Sequence, residues 1–164
     1  FMKHHAADLP LEVLQQFRVI YGTMRQYFRT IEQCCGLPGS QMWILQEVER
    51  TPSIGVTELA QRLGIHQSTC SQLVEKLVGQ HYLEKQKNPA DLRRVGLVLG
   101  PQGRSAMQSL PGPAEGVLPG ALSSMPEVAL KTLNINLAEL IFHLRGRDDE
   151  FAQVPLAEMV RDAE

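Results

Sequence analysis

Residues 67–76 carry five short polar side chains, Gln67, Ser68, Thr69, Ser71 and Gln72, followed by Glu75 and Lys76. Hydroxyls and carboxamides both donate and accept hydrogen bonds. At helical spacing they give one face the means to read base edges and phosphates in a major groove. Farther along stand Lys87 and the adjacent pair Arg93-Arg94, cations suited to a narrow minor groove or to clamping phosphates. The thiols are Cys34, Cys35 and Cys70. Other chemistry finds less support. His4, His5, His66, His81 and His143 lack metal-ligand spacing among themselves or with the cysteines, so no metal site is predicted. There is no glycine-rich phosphate loop, no nucleophile elbow and no carboxylate pair at an obvious cleft, so neither catalysis nor a cofactor is predicted. Asp148-Asp149-Glu150 reads as a solvated charge run.

The elements that position these residues are legible in the apolar spacing. Leu14, Phe17, Ile20, Tyr21, Met24, Tyr27, Phe28 and Ile31 recur every three or four residues and predict one long helix over 9–33, with Pro10 in its first turn and Gly36 and Pro38 ending it. A second helix is predicted from about Ser40 to Arg50, closed by Thr51-Pro52-Ser53. Residues 56–63 and 67–79 read as two short helices around Gly64-Ile65-His66. Residues 82–87 and 95–99 then alternate as strands about the turn Asn88-Pro89-Ala90-Asp91, a hairpin with a long tip bearing Arg93 and Arg94. Pro101 can open a helix, but Pro111-Gly112-Pro113, Gly116 and Pro119-Gly120 make the next stretch irregular or kinked. Ser124-Met125-Pro126-Glu127 has a capping-box pattern and opens a last helix through Leu144 to Gly146. The fold class is therefore mainly α with a small β-hairpin.

Bulk charge at first counts against nucleic acid, since 16 Lys and Arg face 18 Asp and Glu for a net charge of −2. Placement reverses that reading. Residues 57–105 carry seven cations and four carboxylates, a net +3, whereas residues 146–164 carry two cations and six carboxylates, a net −4. The chain of 164 residues suits one domain with an appended element, and its 43% hydrophobic content excludes wholesale disorder. No apolar run approaches a membrane span, and Phe1-Met2-Lys3-His4-His5 has no apolar core of a secretory signal; Phe1 is left out of the fold argument. Three cysteines, two adjacent, cannot frame a disulfide scaffold, so a soluble cytoplasmic protein is expected.

Residues 56–77 hold the most specific pattern. Ala60 is small where two steeply crossing helices approach, and Gly64 tolerates positive φ just after the first of them. Leu59, Leu63, Ile65, Cys70, Leu73 and Leu77 supply a shared core, leaving the polar face of 67–76 outward. Alone this fits an ordinary αα-corner as well as a DNA reader. The basic hairpin directly after it makes the pair a winged helix-turn-helix.

The stretch from Val56 to Ser71, with Leu73-Val74-Glu75-Lys76-Leu77, resembles the MarR family of bacterial transcriptional regulators, as does the wing Asp91-Leu92-Arg93-Arg94-Val95-Gly96-Leu97-Val98-Leu99 with its Asp-x-Arg signature. The resemblance spans roughly residues 10–145. It implies an N-terminal dimerisation helix over 8–36, a winged helix-turn-helix over 37–100, C-terminal dimerisation helices over 101–146, and beyond them an acidic tail over 147–164. It further implies a homodimer on a pseudo-palindromic double-stranded operator, acting as a repressor or an activator. On that likeness Ser68, Thr69, Ser71, Gln72 and Lys76 occupy recognition-helix positions and Gln67 a phosphate-binding first turn. Arg93 is the wing arginine, with Asp91 orienting it and Arg94 and Lys87 on phosphates. The chain departs from the family at Gly100, where a capping threonine is usual, at Pro38, and in the Pro/Gly-rich 111–120.

The resemblance also implies an effector site between dimer scaffold and winged helix, for which Tyr21, Arg25, Tyr27, Phe28, Met42 and Trp43 are the candidates, suited to a small aromatic or carboxylate ligand. Some relatives sense peroxide with a cysteine, so Cys34 and Cys35 carry a redox alternative. Another alternative is a winged-helix protein-interaction module without DNA binding. The short polar face and Arg93 argue against that reading, because an interaction face would be more apolar and aromatic.

Overall fold

The computed structural model describes residues 8–161; residues 1–7, including His4 and His5, and residues 162–164 lie outside the described part. The elements run α1 Leu9–Cys35, α2 Gly39–Arg50, α3 Val56–Leu63, α4 Gln67–Gly79, β1 Leu83–Asn88, β2 Asp91–Leu99, α5 Pro101–Gln108, α6 Val117–Ser123, α7 Glu127–Phe142, a 3-10 turn at Asp149–Gln153, and α8 Leu156–Met159. The mainly helical class with one antiparallel hairpin is as expected. No helix among the described residues is long and apolar enough to cross a membrane.

The core gathers around α2. Met42, Ile44, Leu45 and Val48 are buried there, and Ile31, Ile54, Leu59, Leu77, Leu83 and Leu97 close on them from the neighbouring elements. So broad a burial also takes polar side chains out of water, and each needs a partner. Gln46 accepts from the Ala114 backbone N–H at 3.0 Å and donates to Glu115 at 2.7 Å. Tyr27 donates to the Pro113 carbonyl at 2.8 Å. The Pro/Gly-rich segment is thus irregular, as its composition predicts, yet pinned to α1 and α2 with Ala114 buried.

Gly64 ends α3 at φ +66°, and the Ile65 N–H closes back on the Ala60 carbonyl. That left-handed cap turns the chain into α4. Within α4 the buried residues are Cys70, Val74 and Leu77. Val74 takes the central core position, while Leu73, expected there, is only half-buried against the core's edge. The departure at Gly100 has a steric cause. A Cβ there would stand 2.4 Å from the His81 carbonyl oxygen, so α5 can dock on the His81–Tyr82 segment only through a glycine.

Two expectations need correction. β2 begins at Asp91, so the hairpin tip is only Pro89-Ala90 and Arg93 and Arg94 lie within the strand. The capping box does not form: α7 starts after Pro126 with no side-chain cap, and the Ser124 hydroxyl donates instead to the Gly120 carbonyl at 2.8 Å. Proline's extended φ/ψ already sets the helix entry, and Ser124 is spent closing α6. The run Asp148-Asp149-Glu150 is exposed, as expected, whereas Pro155, Ala157 and Val160 beyond it are buried against the body.

Helices α1 and α7 are otherwise poorly covered. Of α7 no residue is buried, and Val128, Ile135 and Phe142 are 78%, 68% and 71% exposed.

The paired glycine variants Gly100→Ala and Gly120→Ala check the docking of α5. The first should lower unfolding free energy by about 1–3 kcal/mol through overpacking. The second, a helical glycine with open space around it, should leave stability unchanged or raise it by up to about 1 kcal/mol. Thermal and urea melts of both variants decide it.

Candidate nucleic-acid interface

With Cys70, Val74 and Leu77 buried, helical geometry turns Ser68, Ser71, Gln72 and Lys76 outward, and all four are exposed; Thr69 is half-buried at the edge of the same face. Gln67, the first residue of α4, donates from its amide to the Thr57 hydroxyl at 3.0 Å. This bond brings the first turns of α3 and α4 side by side, so two sets of helix N-terminal amides open near one another. Thr57 was not among the residues singled out from sequence. Its signal was its place in the first turn of a helix otherwise treated as scaffold.

The wing is built from β1 and β2, with a bulge at Lys87/Asn88 and Asn88 facing Asp91 across the turn. Asn88 Oδ1 accepts from the Ala90 N–H at 2.9 Å, which fixes the tight tip. Asp91 behaves differently from expectation. Its Oδ1 accepts from the Arg93 backbone N–H at 3.0 Å, and its Oδ2 lies 3.7 Å from the Arg94 guanidinium. Asp91 therefore sets the backbone at Arg93 and pairs with Arg94, and does not hold the Arg93 side chain. The cause is local: the side chain of a turn aspartate reaches the N–H two residues on more readily than a long arginine folds back. Lys87, Arg93 and Arg94 are all exposed.

Between wing and reader runs an open groove of about 970 Å³, with Gly55, Thr57 and Glu58 on one bank and Lys87, Asn88 and Arg94 on the other. The two banks are tied together. The Lys85 ammonium pairs with Glu75 of α4, and Ile54 bridges to Leu97 of β2, so the loop before α3 adds to the sheet edge. Arg62 donates to Thr51 at 2.7 Å and to Glu58 at 2.8 Å, and lies 3.5 Å from Glu47, locking α3 against α2. Glu58 is thereby neutralised beside the groove. The arrangement gives a polar helix face, two adjacent helix starts and a cationic ribbon on one rigid frame, which is what duplex phosphates and base edges require.

The six effector candidates do not form one pocket. Arg25 and Phe28 line a cleft of about 200 Å³ with Arg29 and Glu32. Phe28 and Trp43 line a second of about 200 Å³. Met42 is fully buried in the core and cannot meet a ligand, and Tyr21 is half-exposed on α1 outside both clefts. Tyr27 is occupied by Pro113, and burial, with Glu115 and Cys35 nearby, pushes its phenol pKa up.

Of the thiols, Cys34 is exposed, Cys35 half-buried and Cys70 buried. Burial, helped by Cys34, raises the Cys35 pKa, the opposite of the lowered value that makes a thiol reactive. Burial pushes Cys70 up to about 11.

Residues 36–94 match the MarR family model, a span running from the end of α1 through the winged helix to the Arg93-Arg94 pair. No curated protein sequence matches the chain. Among solved structures it is similar to a MepR mutant of S. aureus bound to an oligodeoxyribonucleotide, 18% identical with a TM-score of 0.51, covering 81% of this chain and 98% of that one. It is similar to a MarR mutant of E. coli complexed with operator DNA, 18% identical with a TM-score of 0.52, over 79% and 95% of the two chains. The YusO protein of Bacillus subtilis is 17% identical with a TM-score of 0.52, over 85% and 99%. At these identities the likeness establishes the fold, and the family resemblance of the sequence is borne out over the winged helix. A further similar solved structure, 19% identical with a TM-score of 0.54, is described as a MarR family transcription regulator.

Thiol labelling checks the packing of the reader. At pH 8 a group with a pKa of about 11 is almost wholly protonated, so in the native chain Cys34 should react with a disulfide reagent while Cys70 reacts only on unfolding. Fast native labelling of Cys70 would show that α4 is not seated as described.

Proposed function

We propose, from the match of residues 36–94 to the MarR family model, that the chain regulates transcription by binding a pseudo-palindromic operator as a homodimer. The observation that carries this reading is the shared frame of the polar α4 face and the cationic wing, joined through Lys85–Glu75 and the Ile54–Leu97 bridge. Ser68, Thr69, Ser71, Gln72 and Lys76 would face the major groove. Gln67, with Thr57 beside it, would meet a phosphate at the start of α4. Arg93 would reach the minor groove, and Lys87, Arg94 and the Asp91-ordered turn would flank it.

The homodimer is supported by the uncovered apolar side chains of α1 and α7. Leu9, Leu11, Leu14, Phe17 and Ile20 on α1 and Val128, Ile135, Leu140, Ile141 and Phe142 on α7 are all exposed. A helix as apolar around its circumference as α7 is stable in water only when buried, and a second copy supplies the same apolar surfaces in return. Two readers would then stand about one helical turn of DNA apart.

An effector is the further part of the reading. The cleft beneath Arg25 and Arg29, with the Phe28 ring as one wall, suits a carboxylate on a single aromatic ring. A panel of aromatic acids should change the fluorescence of Trp43, which sits in the adjoining cleft, and should weaken DNA binding. A silent panel would remove this ligand class.

Two variants test the reader and the dimer. Arg93→Ala should weaken binding to the palindrome upstream of this gene by about 1–3 kcal/mol at ~0.15 M salt, with an unchanged melting temperature. Unchanged affinity would show that the wing is not used. Phe17→Glu with Leu140→Asp should convert the dimer to a monomer in sedimentation and cut DNA affinity by more than about tenfold through loss of avidity.

A further inference from the structure

The segment after α7 makes a chain of contacts that crosses from the scaffold helices to the start of the recognition helix. At its far end Arg161 donates to Glu32 of α1 at 3.0 Å, and the Ser40 hydroxyl at the start of α2 donates to Glu158. Pro155, Ala157 and Val160 are buried, and the fit is close: a Cβ on Gly39 would stand 3.2 Å from the Ala157 methyl. At its near end the Glu150 carboxylate lies 2.9 Å from His66 Nε2, and the Gln153 carbonyl accepts from the His66 backbone N–H at 3.4 Å. His66 is the N-cap of α4. Ala152 and Gln153 also line a hollow with Gln61 and with Thr57 and Gln67, the first-turn residues of the interface.

We propose that residues 148–161 are an intramolecular strap that competes with duplex DNA for the first turn of α4. The inference rests on the DNA-binding reading above. A helix start favours an anion through its unpaired amides and its dipole. Here the anion at hand is Glu150, with Asp148 and Asp149 just before it and the Arg147 side chain 3.8 Å from Asp149. The Asp148 side chain accepts from the Glu150 N–H at 3.0 Å, which holds the carboxylate-bearing turn in shape. A DNA backbone approaching Gln67 and Thr57 meets that turn and must displace it. The Ala157 and Val160 seat and the Arg161–Glu32 pair then act as the hinge end, and whatever loosens them frees the reader. The carboxylates of residues 148–150 thus act at one place on the reader and not as a diffuse field.

The test separates a docked strap from bulk repulsion. Full-length protein is titrated into a fluorescein-labelled duplex of about 30 base pairs carrying the upstream palindrome, long enough for two half-sites. Ala157→Asp makes the tail more acidic but unseats it. The strap predicts tighter DNA binding than wild type, by about threefold or more, the scale of one phosphate contact regained. Bulk repulsion predicts weaker binding, and that result, or unchanged affinity, overturns the strap. Glu150→Gln removes one exposed carboxylate without touching the seat and should also bind more tightly; no gain there overturns the strap as well. In parallel, hydrogen exchange at residues 150–153 should speed up when wild type is saturated with duplex, and unchanged protection counts against it. If wild type and both variants, folded and dimeric, bind no duplex, the DNA reading fails and the strap with it.

Discussion

Everything in the molecule leans on α2. A helix buried around most of its circumference contributes apolar area from every side, but each polar side chain it carries must be matched in place or it costs more than it brings. Ser40, Gln41, Gln46 and Glu47 are all buried on α2. Ser40 has Glu158, Gln46 has the Ala114 backbone and the Glu115 carboxylate, and Glu47 has Arg50 and Arg62, whereas Gln41 Oε1 is buried without a hydrogen-bond partner among the described residues. These matches recruit segments that propensity alone would leave loose. The Pro/Gly-rich stretch after α5 and the short α8 have no strong periodicity of their own, and both are held because a buried α2 side chain needs what they offer.

That constraint divides the chain into a rigid reader and an incomplete scaffold. On the reader side, α3, α4 and the wing share buried contacts with α2 and are stitched by Arg62, Lys85 and the Ile54–Leu97 bridge. Exposed ion pairs are individually worth little, so their role here is to fix orientation over a core that already supplies the stability. On the scaffold side, the first half of α1 and nearly all of α7 have no such core within one chain. Their apolar surface is complete only against other apolar surface. The reader's orientation is thus set inside one subunit, whereas the spacing between two readers is set by an interface.

The winged helix was legible in the sequence because its geometry depends on few and local rules. A glycine at the α3–α4 turn, a small residue at the crossing, and apolar residues at fixed offsets leave little choice, and both helices fall at their expected bounds. The errors share one origin: sequence patterns report what a residue is able to do, and tertiary neighbours decide which option is taken. Ser124 could cap α7 and closes α6 instead. Asp91 could hold the Arg93 side chain and binds its backbone N–H instead. Met42 carries the chemistry of a ligand wall but lies on the inward side of α2. Val74 and Leu73 are both apolar, and only the rotation of α4 that also buries Cys70 and Leu77 puts Val74 inside. The run Asp148-Asp149-Glu150 is exposed as read, but the seat of the residues after it depends on Gly39 and Phe28, more than a hundred residues earlier.

Charge shows the same dependence on place. A net −2 spread evenly over this chain would oppose DNA weakly at all points. Charges separated by more than about 8 Å in physiological salt hardly sense each other through water, so the sum over the chain decides little about any one face. What decides it is which charges sit on or beside the reader and its wing. Glu58 and Glu75 do, and each is already paired with a cation, Arg62 and Lys85. Arg93 and Lys87 do, and both project from the wing into solvent. Glu150 does as well, brought there by the fold of the last residues and partnered by His66. The cationic groove and the acidic tail therefore balance not as totals but through one contact at the start of α4, where the strength of a single docked segment sets how readily the positive face is presented.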